Sequence, residues 1–273
     1  MISTVFKDML FQGKVALITG GGTGIGLRTA KEMAQLGATV VLASRKEEVV
    51  KQAAEQIVQE GGKALGLVCN IRDNESIKAC VDQVLNEFGR IDFLVNNGGG
   101  QFPSPAEMIQ PKGWHAVIET NLTGTFFLTQ EVFNRFMQAN GGAVVNVIAD
   151  MRNGFPMMAH TGAARSGVEN LTKTLANEWG RYGFRINSVM PGTINSSGLN
   201  RYDPSFKDFI FGYGKYNQTS RLGTEAEVAA AIIFLLSPAA AFITGVNLAV
   251  DGGQSIYHPL FPPEENTKNE VWE

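Results

Sequence analysis

Thr19-Gly20-Gly21-Gly22-Thr23-Gly24-Ile25-Gly26 follows directly on the apolar run Val15-Ala16-Leu17-Ile18 and opens the amphipathic stretch 24–36. A strand that ends in such a glycine run and passes into a helix has the form of a dinucleotide-binding βαβ unit. Gly20 permits the sharp turn, Gly24 lets backbone approach a pyrophosphate, and Gly26 lets helix and sheet pack closely. The helix N-terminus then turns its free N–H groups on the phosphates. Thr19, Gly20, Gly22, Thr23, Gly24, Ile25 and Gly26 are therefore the expected phosphate-binding residues.

The next apolar run, Thr39-Val40-Val41-Leu42, ends at Ala43-Ser44-Arg45-Lys46. An NAD-binding chain usually has an acid here to accept hydrogen bonds from the ribose 2′-OH. Ser44, Arg45 and Lys46 instead offer a hydroxyl and two cations, and an arginine meets a 2′-phosphate through several donors and stacks on adenine. The expected cofactor is NADP(H). The alternative is that Arg45 and Lys46 only begin a solvated helix.

Beyond this unit, apolar runs at 64–68, 93–95, 143–147, 185–189 and 246–250 alternate with helical stretches at about 46–60, 74–88, 113–140, 162–179 and 225–236. Apolar runs too short for core helices, separated by helices, predict buried parallel strands covered on both faces. The expected fold is α/β, a single doubly wound Rossmann domain over residues 1–273. Residues 196–221, aromatic and glycine-containing without clear period, read as a mobile lid. Residues 257–273, rich in Pro, Glu and Asn, read as a tail.

Composition bounds the function. Hydrophobic residues make up 44% and charged residues 18% of the 273, and the net charge is −3, which offers no basic surface for nucleic acid or membrane. Cys69 and Cys80 form no disulfide framework, and His115, His160 and His258 lack metal-ligand spacing, so no metal is expected. No apolar run reaches the roughly 18 residues of a membrane span. With no secretory signal at the start and no peroxisomal signal at the end, the expectation is a cytoplasmic protein.

Thr19 to Gly26, Asn96-Asn97-Gly98-Gly99-Gly100, Asn121, Pro191-Gly192-Thr193 and Asp251-Gly252-Gly253 occur in the order of the short-chain dehydrogenase/reductase signature, which the chain resembles over about residues 10–255. The resemblance implies a seven-stranded sheet, Asn70 near the adenine, Asn96 steadying the central strand, and Asn97, Gly98 and Gly99 beside the cofactor. It also implies Pro191, Gly192 and Thr193 along the nicotinamide, and assembly as a homotetramer through helices near 121–137 and 162–179.

The catalytic end departs from that family, whose usual members carry a Ser, then a Tyr and a Lys four residues on. Here the helix reads His160-Thr161-Gly162-Ala163-Ala164-Arg165-Ser166-Gly167-Val168. The alignment puts Thr161 at the Tyr position and Arg165 at the Lys position, while Val147-Ile148-Ala149-Asp150 stands where the Ser is expected. Arg165 can bind the nicotinamide ribose but has too high a pKa to shuttle protons. His160 is a candidate proton donor or a structural helix-entry histidine. Thr161 is a candidate site residue or an N-cap. Asn121 either holds a water, as in the family, or is a structural amide. Asp150 reads as acid, orienting group or solvated carboxylate, and Lys173 as a surface residue.

The stretches Asn96 to Glu107, Gly113-Trp114-His115-Ala116-Val117 and His160 to Arg165 resemble the peroxisomal trans-2-enoyl-CoA reductases and, more distantly, the 2,4-dienoyl-CoA reductases. Reducing a carbonyl leaves an alkoxide-like oxygen that wants an acid beside it. Reducing an enoyl thioester leaves an enolate, which wants donors at the thioester oxygen and takes a proton at the α-carbon. A site without the tyrosine therefore points to NADPH-dependent C=C reduction of a 2-enoyl thioester. The alternatives are an alcohol or aldehyde dehydrogenase or a 3-ketoacyl reductase with a substitute acid, and a catalytically silent cofactor-binding partner.

Overall fold

The computed structural model describes residues 6–201, 203–263 and 269–273. Seven parallel strands form one sheet: β1 (Val15–Thr19), β2 (Thr39–Ser44), β3 (Lys63–Val68), β4 (Phe93–Asn96), β5 (Gly142–Val147), β6 (Phe184–Pro191) and, after a short pair formed by β7 (Ile194–Asn195) and β8 (Gly223–Thr224), β9 (Asn247–Val250). Their order is β3-β2-β1-β4-β5-β6-β9, so the winding reverses between β1 and β4. A crevice opens there at the carboxyl ends of the strands, the place where doubly wound sheets bind ligands.

The helices are α1 (Gly24–Gln35), α2 (Glu47–Gln59), α3 (Asn74–Phe88), α4 (Pro111–Ile118), α5 (Gly124–Val132), the short α6 (Gln138–Asn140), α7 (Ala159–Trp179), α8 (Pro204–Phe211) and α9 (Glu225–Leu236). Alternation along β1 shows how the faces are shared. Ala16 and Ile18 join Ala30 and Met33 of α1, Ile57 of α2 and Ile232 of α9 in one apolar layer. Val15 and Leu17 join Cys80 of α3, Leu128 of α5 and Leu175 of α7 in the other. Period two in the strand feeds two cores at once, which is why these strands are apolar throughout.

A polar ladder crosses the sheet inside this apolar packing. Asn96 and Asn146 are register partners on β4 and β5. Asn96 Nδ2 donates to Asn146 Oδ1 and to Thr129 Oγ1, both at 2.8 Å, and Asn146 Nδ2 donates to Thr172 Oγ1 at 2.9 Å. The ladder ties α5, β4, β5 and α7 together directly below the crevice. Asn96 thus anchors the central strand through its side chain.

Several boundaries differ from the sequence reading. The helix expected from residue 162 starts at Ala159, with Met158 as its N-cap residue. Thr161 is therefore not an N-cap but a first-turn residue, fully buried. The stretch 113–140 is one run of helix interrupted by π-helical turns at Glu119–Thr123 and Phe133–Met137. Residues 196–221 contain α8 and two 3₁₀ turns; Tyr202 of this segment lies outside the described residues. Of the expected tail, residues 264–268 lie outside the described residues, and Trp272 docks: its carbonyl accepts from Thr224 Oγ1 at 2.5 Å, while the Glu270 carbonyl accepts from Arg221 Nη2 at 3.1 Å.

Candidate active site

The phosphate turn is built as its glycines require. Gly20 and Gly24 have φ of +62° and +61°, a region side chains avoid. A Cβ on Gly26 would lie 2.5 Å from the Gly20 carbonyl and from Asn97 Nδ2. Helix α1 then opens with no side-chain cap and no acid in its first turn, so its N–H groups remain available to an anion.

Two residues expected at the cofactor, Thr19 and Asn97, also stitch the turn to the end of β4. Thr19 Oγ1 accepts from the backbone N–H of Asn97 (3.1 Å) and Gly98 (2.8 Å). Asn97 Nδ2 donates to the carbonyls of Thr19 (3.1 Å) and Gly20 (3.2 Å). Their side chains fix the spacing of the crevice walls. Gly98 and Gly99 continue along the wall: a side chain on Gly98 would meet Thr19 Oγ1 at 3.1 Å, and one on Gly99 would strike the Arg165 guanidinium.

At the end of β2, Ser44 Oγ accepts from the Lys46 N–H at 3.2 Å. Arg45 and Lys46 are exposed, and among the described residues their charged heads meet no acid. Asn70, at the end of β3, is held by its N–H on Ser76 Oγ (2.9 Å), while its Oδ1 accepts from the Arg72 N–H (3.3 Å). Three strand ends thus present an uncapped helix, two unpaired cations and a fixed amide side by side. That set fits a dinucleotide.

Asn121 lies fully buried in the first π-helical turn. Its Nδ2 donates to the carbonyls of Gly100 (2.7 Å) and Val117 (2.9 Å), and its Oδ1 accepts from the Gly100 N–H (3.3 Å). The amide thus clasps the loop after β4 to the π-helical turn.

Arg165 extends from α7 beneath that loop. Its Nη1 donates to the Val147 carbonyl at 2.7 Å, and its buried Nε has no partner among the described residues. Burial brings its pKa down to about 10. It lines a cavity of about 350 Å³ with Asn97, Gly99, Gly100, Gln101, Phe102, Pro103, Ser196, Gly198 and Leu199.

His160 stands one layer behind the cavity wall, its ring edge-on to Phe102 at 4.5 Å. Its Nδ1 accepts from the Thr161 N–H at 2.8 Å and lies 3.2 Å from Thr161 Oγ1. The N–H bond requires the Nε2–H tautomer, and Nε2 is buried without a partner among the described residues. Burial holds the imidazole pKa below its usual value, against a smaller opposing hydrogen bond with the Met158 backbone. Lys173 sits on the surface and pairs with Glu169 at 2.9 Å.

Asp150 follows β5, with its N–H on the Pro191 carbonyl at 3.0 Å. Its Oδ1 accepts from the Arg152 N–H at 3.3 Å. Burial, and secondarily the charge of Asp251, raise its pKa above the ordinary aspartate value. Pro191, Gly192 and Thr193 form the neighbouring strand end. Gly192 packs so tightly on Asp251 that a Cβ would lie 2.8 Å from Asp251 Cα, and Thr193 gives both its N–H and its hydroxyl to Gln254 Oε1 at 3.0 Å.

The sequence reading had not included Phe102, Gln254, Asp251 and Glu225 in the site. The Asp-Gly-Gly motif pointed to the neighbourhood of Asp251 and Gln254. Glu225 carried no signal beyond the Thr224-x-x-Glu227 capping box around it, which forms as such a sequence predicts.

A family model described as enoyl-(acyl carrier protein) reductase matches residues 20–255. The chain is 38% identical over 252 residues to the peroxisomal 2,4-dienoyl-CoA reductase of Rattus norvegicus, covering 91% of this chain and 86% of the relative. It is 36% identical to the D-threitol dehydrogenase of Mycolicibacterium smegmatis, with 91% and 95% covered. Among solved structures, the citronellol catabolism dehydrogenase of Pseudomonas aeruginosa superposes with a TM-score of 0.84 at 46% identity, over 92% of this chain and 99% of that one.

Proposed function

We propose a reaction for this chain, which belongs to the short-chain dehydrogenase/reductase family: the NADPH-dependent reduction of the C=C bond of a 2-enoyl or 2,4-dienoyl thioester. The observation that carries it is the missing tyrosine. Helix α7 has no tyrosine and presents Thr161 and Arg165 one turn apart, while Asp150, a carboxyl whose pKa burial raises, follows β5 with its N–H on the Pro191 carbonyl.

The α1 N-terminus and Gly20 to Gly26 hold the pyrophosphate, Arg45 and Lys46 take the 2′-phosphate, and Asn70 borders the adenine. Gly98, Gly99 and Pro191 to Thr193 flank the nicotinamide. When bound, NADPH supplies a hydride. Arg165 binds the ribose and orients it, with its unpartnered Nε as the spare donor. Gln101, Phe102, Pro103 and Leu199 exclude water from the cavity and receive the acyl chain. Asp150 in its protonated form delivers the proton that completes the reduction. His160, kept neutral by burial, positions Phe102.

The relatedness to 2,4-dienoyl-CoA reductases supports the thioester reading. The D-threitol and citronellol dehydrogenases favour a second reading, alcohol oxidation, which needs a base in place of the tyrosine.

Asp150→Asn tests the assignment. It is expected to cost about 10²–10⁴-fold in kcat while leaving NADPH affinity unchanged. In the native enzyme the rate should fall as pH rises through the raised Asp150 pKa, because deprotonation removes the donor. That alkaline limb should vanish in the variant. A variant with native rate and native pH profile contradicts the role.

A further inference from the structure

Glu225 is the first residue of α9, and its Oε1 accepts from the Ser197 backbone N–H at 3.1 Å. A Cβ built on Gly24 would lie 3.5 Å from that same Oε1 and 3.5 Å from Ser197 Oγ. A carboxylate oxygen therefore lies against the backbone that the glycine turn keeps bare for a pyrophosphate. Among the described residues Glu225 has no cationic partner. Its charge sits in the first turn of α9, where the helix N-terminus favours an acid, and beside Gly24, where α1 opens without an acid of its own.

The same N-terminus has to receive the phosphates of a dinucleotide. Carboxylate and pyrophosphate are like charges set against the same turn, so each weakens the other there. Ser197 begins the segment that leaves β7 and returns through β8, so the carboxylate also fastens that segment to α9.

We propose that Glu225 is an affinity-setting residue for the dinucleotide: its carboxylate competes with the cofactor pyrophosphate for the turn at Gly24 while tethering Ser197. Binding of the dinucleotide pushes the carboxylate away and frees the Ser197 N–H and hydroxyl for a phosphate oxygen. The inference rests on the dinucleotide reading of the site but not on NADPH over NADH, because the pyrophosphate is common to both.

The test is calorimetric titration of the native enzyme, Glu225→Gln and Glu225→Asp with NADPH, NADH and adenosine 2′-monophosphate, which lacks the pyrophosphate. Gln keeps the shape and the acceptor for Ser197 and removes the charge; it should tighten both dinucleotides by roughly five-fold or more, the effect of one charge pair at about 4 Å near water. Asp keeps the charge and should not tighten either. The monophosphate should bind all three proteins alike. Dinucleotide binding that Gln leaves unchanged or weakens overturns the inference and leaves the cofactor reading standing. A native protein that binds neither dinucleotide overturns both.

Discussion

Arg165 carries its charge inside the protein with no carboxylate paired to it among the described residues, held by the Val147 carbonyl alone. A depressed pKa on a buried cation means that the charged form costs folding free energy at neutral pH. That cost is fully present below about pH 10 and is relieved only as the folded arginine deprotonates above it. Replacing Arg165 with Met keeps the length and removes the buried charge. The unfolding midpoint should rise by roughly 2–4 °C even after the Val147 carbonyl loses its donor, while NADPH affinity and rate fall together. Arg165→Lys should retain appreciable activity, since a cation still reaches the ribose. A Met variant that melts lower and binds NADPH as before would show that Arg165 is structural. Thr161 and Arg165 could be placed from sequence because residues four apart share a helix face. The perturbation of Asp150 could not, because it comes from burial and from Asp251, far along the chain.

At the scale of elements, the glycine turn and the apolar alternation made the sheet legible. Each strand is too short to be a core helix and too apolar to lie at a surface. The start of α7 is not legible because Thr161-Gly162 resembles a cap followed by a flexible residue, whereas the helix begins at Ala159 after Met158, which gives no side-chain cap. The π-helical turn that houses Asn121 is not legible, since a single π turn has no residue signature of its own and its phase shift falls within a stretch that is apolar on several sides. Helix α8 was missed because its eight residues are too few to establish a period among aromatics and glycines. The Asn96–Asn146 ladder is half legible: the resemblance implies that Asn96 steadies the central strand, but its partners, Asn146 on β5 and Thr129 on α5, follow only from the folded arrangement. Asn146→Leu leaves Asn96 Nδ2 and Thr172 Oγ1 without that partner inside the core. Denaturant unfolding should show a loss of about 2–4 kcal/mol; a loss below about 0.5 kcal/mol would mean the ladder does not hold the strand ends.

The molecule as a whole leaves large apolar side chains uncovered near its C-terminal end: Phe242 is fully exposed, and Ile256, Leu260 and Phe261 are 70–78% exposed. Such residues gain by burial in a subunit contact, and we propose that this end takes part in the homotetramer that the family resemblance implies. Light scattering at micromolar concentration should give a tetramer mass, and a monomer there would refute the assembly. The central claim concerns chemistry, and it turns on the proton donor: Asp150 suits protonation after C=C reduction, whereas alcohol and ketone chemistry has no tyrosine on α7 to serve it. The most direct test follows oxidation of NADPH, with NADH in parallel, against matched 2-enoyl, 2,4-dienoyl and 3-ketoacyl thioesters, and the reverse reaction against a primary alcohol, with products identified by mass spectrometry. The account predicts NADPH consumption with the enoyl or dienoyl thioester and a product two hydrogens heavier that has lost a C=C bond. Turnover confined to the 3-ketoacyl thioester or to the alcohol would contradict it.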